Sequence, residues 1–110
     1  MQILIVTFQL DGIDEADYER MTVAIAPAIA QTPGLLGKAF LADSETNTYG
    51  GVYLFESRQA IARYLDSEVT RAVQANPQFV NFSARAFDTI EAATRVTQGR
   101  LPLYPVSLAA

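Results

Sequence analysis

Within 110 residues, four short runs rich in β-branched and aromatic residues alternate with two stretches of helical periodicity, in the order β-α-β-β-α-β. That order predicts a ferredoxin-like α+β domain, with a four-stranded antiparallel sheet carrying both helices on one side. The predicted strands cover residues 3–10, 35–41, 51–55 and 79–87. The first is apolar almost throughout, as expected of a central strand, and stops at the turn pair Asp11-Gly12.

Asp14 is placed to cap the first helix, with Glu15 and Asp17 adding negative charge where the helix dipole favours it. Met21, Ile25, Ala28 and Ile29 recur at helical spacing and predict its buried stripe. Pro27 lies within that stripe and predicts a kink or break, because it removes a donor and crowds the preceding turn. Thr32-Pro33-Gly34 turns the chain back to the sheet, and the polar residues 42–50 read as a long hairpin loop. Ser57 opens the second helix. Its stripe of Ile61, Tyr64, Leu65, Val69, Ala72 and Val73 reads as one continuous helix ending before Asn76-Pro77. Residues 1–98 are therefore expected to form the domain and residues 99–110 an extended tail.

Composition removes whole classes of chemistry. The chain has no cysteine, histidine or tryptophan, which excludes disulfides, imidazole or thiolate metal sites, cysteine nucleophiles, Ser-His-Asp triads and a proximal histidine for haem. No carboxylate-rich ligand loop stands out either, so neither a metal nor another cofactor is expected. A net charge of −4 without a basic run argues against nucleic acid as a partner. The opening apolar run, residues 3–6, is too short for a membrane span, and a cytoplasmic location is expected.

With both helices on one side, the second face of the sheet is left bare, and a second copy of the chain is the expected cover. Strand alternation divides each strand into two sets, the more uniformly apolar one expected under the helices. That rule sends Leu4, Val6, Phe8 and Leu10, Ala39 and Leu41, Val52 and Leu54, and Val80, Phe82, Ala84 and Ala86 to the helices. The bare face then carries Ile3, Ile5, Thr7, Gln9, Leu36, Lys38, Phe40, Tyr53, Phe55, Asn81, Ser83, Arg85 and Phe87. This mixture resembles a pocket lining. Lys38, Tyr53 and Arg85 are the candidate catalytic residues: two cations and a hydroxyl for stabilising a phenolate, enolate or carboxylate. Phe40, Phe55 and Phe87 would enclose a ring, with Thr7, Gln9 and Ser83 as further substrate contacts. Each also has a bland reading: the cations reaching water from edge strands, Tyr53 as a core aromatic, the small polar groups bonding across the sheet. No strong general base stands out, since a neutral lysine requires a large pKa shift.

The segments Thr-Pro-Gly-Leu-Leu-Gly-Lys-Ala-Phe at 32–40, Asn-Thr-Tyr-Gly-Gly-Val-Tyr-Leu-Phe at 47–55 and Ala-Arg-Tyr-Leu at 62–65 resemble the YdhR-type putative mono-oxygenases, a likeness that continues through Asp88. The resemblance implies a dimeric α+β barrel in which two sheets pack face to face. It also implies kinship in fold with cofactor-independent oxygenases of aromatic polyketides and with haem-degrading enzymes, although this chain lacks histidine. The expected function is that of a cofactor-independent mono-oxygenase acting on a small ionisable aromatic or quinol-like substrate, between sheet and helices or in the barrel of a homodimer. The alternatives are a non-catalytic small-molecule-binding or stress-related barrel protein, and a non-oxidative isomerase or cyclase.

Overall fold

A computed structural model describes residues 1–97, and the tail expected over 99–110 lies outside them. The chain runs β1 (Gln2–Leu10), α1 (Glu15–Ala30), β2 (Leu35–Asp43), β3 (Thr48–Phe55), α2 (Arg58–Leu65), α3 (Glu68–Ala75), β4 (Phe79–Asp88) and α4 (Glu91–Val96). The strands form one antiparallel sheet in the order β2-β3-β1-β4, the ferredoxin-like arrangement the element order predicts. Leu4, Val6 and Phe8 of the central strand point to the helices and are buried with Tyr18, Tyr49, Tyr53, Phe55, Ile61, Tyr64 and Phe79.

Several local expectations change. Helix α1 is capped by Asp14, whose side chain accepts from the Asp17 amide at 2.8 Å, and it continues through Pro27 without a break. Pro27 sits in an exposed last turn, where the lost backbone bond leaves a carbonyl facing water. The buried positions of α1 are Tyr18 and Ile29, while Ala28 is exposed. The β2–β3 loop shrinks to residues 44–47, because Asp43 pairs with Thr48 across the hairpin. Asn47 adopts φ 51° there, and its side chain both donates to the Leu10 carbonyl (2.9 Å) and accepts from the Leu10 amide (3.3 Å). The expected second helix is two helices. Ser67 starts α3 by accepting from the Thr70 amide, while the Ser67 and Thr70 hydroxyls both donate to the Tyr64 carbonyl at 2.5 and 2.7 Å. Helix α4 is an addition, held near the chain start by Thr89 donating to the Met1 carbonyl and by the Met1 amine on Glu91.

The register overturns the face assignment of two strands. Leu4 pairs with Tyr53 and Val6 with Gly51, while Lys38 pairs with Tyr53 and Phe40 with Gly51. Directly paired residues share a face. Lys38, Phe40, Tyr53 and Phe55 therefore lie under the helices, and Ala39, Leu41, Val52 and Leu54 lie on the bare face. The large aromatic side chains fill the deep space beneath the helices, and the compact aliphatic ones pave the flat side. Two bulges contribute. In β2 the extra residue is Leu36, 55% exposed, so Leu35 and Lys38 point the same way. In β4 the extra residue falls at Asn81, φ 56°, which puts both Phe79 and Phe82 under the helices and Val80 beside Gln9 on the bare face.

Candidate functional site

The helices do not seal against the sheet. A cleft of about 100 Å³ opens between them, its floor made by Val6, Phe8, Lys38, Phe40, Gly50 and Tyr53, its walls by Phe79 and Phe82. Tyr18, Met21 and Ile25 of α1, Tyr64 of α2, and Val69, Thr70 and Val73 of α3 close it from above. Met21 and Ile25 stay more than one-third exposed although they lie on the sheet-facing stripe, because they edge the opening. The break between α2 and α3 serves this shape, since Ser67 and Thr70 fix the second segment where it presents Val69 and Val73. At about 100 Å³ the enclosed part is smaller than the ~150 Å³ apolar cavity that holds benzene, so it encloses part of a ring system and leaves the remainder in the open mouth.

Among the described residues, Lys38 is the one cation in this lining. Its Nζ lies 3.9 Å from the centre of the Phe40 ring and 4.3 Å from that of Tyr53. Gly51 makes the position available: a Cβ there would come within 2.5 Å of the Lys38 stem. No ion pair among the described residues involves Lys38. The two rings favour the ammonium form, but burial outweighs them and lowers the amine to about 7. Sequence reasoning set aside a basic amine for want of such a shift, and the apolar setting supplies it.

Beside the amine, the Tyr53 and Tyr64 hydroxyls are 2.9 Å apart, with ring centres 5.0 Å apart. Burial raises both phenols above their ordinary range, Tyr53 the more strongly, so both stay protonated and one can donate to a third oxygen. Tyr18 packs on Phe8, Tyr49 and Phe79, and burial followed by its phenolic neighbours pushes it up to about 12. Tyr18 and the break at Ser67 were the elements missed from sequence. The signal for Tyr18 was its place one turn before Met21 on the same stripe, and for Ser67 a serine followed by Glu68, a start signal inside a helical pattern.

The expected site residues thus separate into two groups. Lys38, Tyr53 and Phe40 meet in the cleft, with Phe55 fully buried behind Tyr53, their rings stacked at 5.9 Å. Thr7, Gln9, Ser83, Arg85 and Phe87 lie on the other side of the sheet. There Arg85 sits over the Phe87 ring at 4.9 Å, and Gln9 is engaged by Asn81 and by the Thr46 carbonyl. Among the described residues, no group of three or more His, Cys, Asp or Glu could hold a metal ion, and no helix is long and apolar enough to cross a membrane.

The chain matches the family described as putative mono-oxygenase ydhR over residues 3–100. Comparison with curated proteins gives no match. Solved structures similar in fold include an antibiotic biosynthesis monooxygenase, itself described as putative, from Deinococcus radiodurans (20% identity, TM-score 0.66, covering 81% of this chain and 92% of that one). SnoaB, a cofactor-independent oxygenase from Streptomyces nogalater, aligns at 18% identity and TM-score 0.63, covering 80% and 91%. The haem-degrader MhuD from Mycobacterium tuberculosis, with two haems in its active site, aligns at 21% identity and TM-score 0.65, covering 82% and 96%.

Proposed function

Because the chain belongs to the ydhR putative mono-oxygenase family, we propose that its cleft binds a small phenol- or quinol-like aromatic molecule and oxidises it with dioxygen, without metal or flavin. The observation that carries this reading is a half-buried amine, without an ion pair among the described residues, set on aromatic rings beside the Tyr53–Tyr64 hydroxyl pair. A neutral Lys38 takes the proton of the bound substrate, and the resulting ammonium then faces the anion it has made. Tyr64 or Tyr53 donates to the anionic oxygen, and the apolar walls keep water out. For a ring methylene, the carbanion passes one electron to dioxygen, the radicals combine to a hydroperoxide, and the lysine proton returns to it. Loss of water leaves a carbonyl, so one oxygen atom stays in the product and the other leaves as water.

Haem fits this chain poorly: it has no histidine or cysteine to serve as a ligand, the Tyr53 and Tyr64 hydroxyls are turned on each other, and the enclosed cleft is far smaller than a porphyrin. The bare face, with Ile3, Ile5, Leu41, Val52 and Leu54 around Thr7 and Arg85, is the proposed homodimer surface, and the proposed location is the cytoplasm. The test is oxygen uptake by metal-free protein across anthrone and hydroquinone substrates, with isotopically labelled dioxygen to follow the retained atom. Uptake above buffer is expected, with label retained in the carbonyl product of anthrone; a hydroquinone would pass both oxygen atoms to hydrogen peroxide. A flat trace, with a small molecule released on denaturation, would instead make the protein a binding module.

A further inference from the structure

We infer that Lys38 is a carbonyl-capturing residue: in the cleft its amine adds to small apolar aldehydes, aromatic ones above all, and holds them as a Schiff base. Of the eight lysine and arginine residues in the chain, Lys38 alone is a lysine. Arginine satisfies every need for a surface cation but offers no nucleophilic amine at neutral pH. The single lysine lies where an amine differs most from a guanidinium, half-buried among aromatic rings. Among the described residues, no carboxylate lines the cleft to hold it as an ammonium ion. Lys38 and Phe40 also border a second hollow between the end of α1 and β2, lined by Ala26, Ile29, Ala30 and Leu35.

The addition needs no oxidant. The nitrogen lone pair attacks the carbonyl carbon, the carbon–nitrogen bond forms, and both amine hydrogens leave with the carbonyl oxygen as water. Burial keeps a large share of the amine neutral near pH 7, which makes the lone pair available. The other titratable groups facing the cleft are Tyr18 from α1, Tyr53 from β3 and Tyr64 from α2, each raised by burial and so protonated at neutral pH. α3 contributes only Val69, Thr70 and Val73. The inference is independent of oxygen chemistry and holds whether or not the protein is an oxygenase.

Benzaldehyde with cyanoborohydride under nitrogen tests it on the full chain, read by intact mass and peptide mapping. Reduction fixes each Schiff base as a secondary amine, and the Met1 amine is the internal reference. At pH 7 the neutral fraction of Lys38 exceeds that of an ordinary lysine on the order of a thousand-fold. The expected result is labelling of Lys38 that saturates with benzaldehyde, is suppressed by toluene and falls about a hundred-fold from pH 8 to pH 5. Lys38→Arg is expected to label only at Met1. Lys38 labelling that rises linearly and ignores toluene would overturn the inference, as would no adduct at Lys38 at all.

Discussion

The two faces of the sheet are built from the same strands and differ in what they present. Between sheet and helices lie the aromatic residues Phe8, Tyr18, Tyr49, Tyr53, Phe55, Tyr64 and Phe79, with ring centres 5.0–5.9 Å apart, Tyr53 and Phe55 stacked and the other pairs edge to face or tilted. Rings that meet at angles leave gaps between them, and the cleft with its single amine is one such gap. The other face has an aliphatic centre of Ile3, Ile5, Leu41, Val52 and Leu54, the last its most buried residue, flanked by Thr7, Gln9 and Ser83 and by Arg85 set over Phe87. An aliphatic pavement suits another flat surface, whereas an angular aromatic layer suits a guest. The proposed chemistry and the proposed association thereby fall on opposite sides of one sheet.

The sharpest way to break this contrast is to truncate one ring on each side. Phe55→Ala, at a fully buried position, is expected to cost about 3–5 kcal/mol in denaturant unfolding, whereas Phe87→Ala on the half-buried face costs a small fraction of that in the monomer. Next in size, Lys38→Met lowers oxygen uptake on the order of a hundred-fold while far-UV dichroism is unchanged. Arg85→Met is the companion: an equal loss there would mean that the chemistry reaches the bare face. Tyr64→Phe strands the Tyr53 hydroxyl and is expected to cost about 1–2 kcal/mol, read as a shift in unfolding midpoint.

The last contrast is a pH dependence. Lys38 has a folded value of about 7 against an ordinary 10.5, so between those limits the unfolded chain binds the extra proton and stability rises with pH. Below pH 7 the full cost of burying the ammonium is present. Lys38→Met is therefore expected to raise Tm most below pH 7, with the gain over wild type shrinking as pH approaches 10.5. A constant offset across that range would show that the amine is solvated.

How much of this could be read in advance depends on how one-sided each local signal was. In β1 the alternation Leu4, Val6, Phe8 against Thr7 and Gln9 is unambiguous, and the strand's orientation follows from it. Asp14 and Ser57 are capping residues in plain positions. In β2 and β3 both alternating sets are apolar, and a parity choice on hydrophobicity alone sent Lys38 and Tyr53 to the wrong side. Size would have been the better guide there, since the space beneath helices must be filled. Bulges at Leu36 and Asn81 are set by pairing with a distant strand, so no local pattern reveals them. The candidate residues were thus legible as a set of types, while their division between two sites was not. That division is a property of register.

Asn81 has one more effect. By absorbing a single extra position, it lets the two halves of β4 keep separate phase: residues before it are ordered by Leu10 and Gln9, residues after it by Thr7 and Val6. Deleting one residue there would straighten the strand and turn either Phe79 or Phe82 outward, unroofing one wall of the hollow while the far half of the ladder stayed in step. A family built on this frame can therefore resize its chamber by editing a kink, without renegotiating the seam on which the rest of the sheet depends.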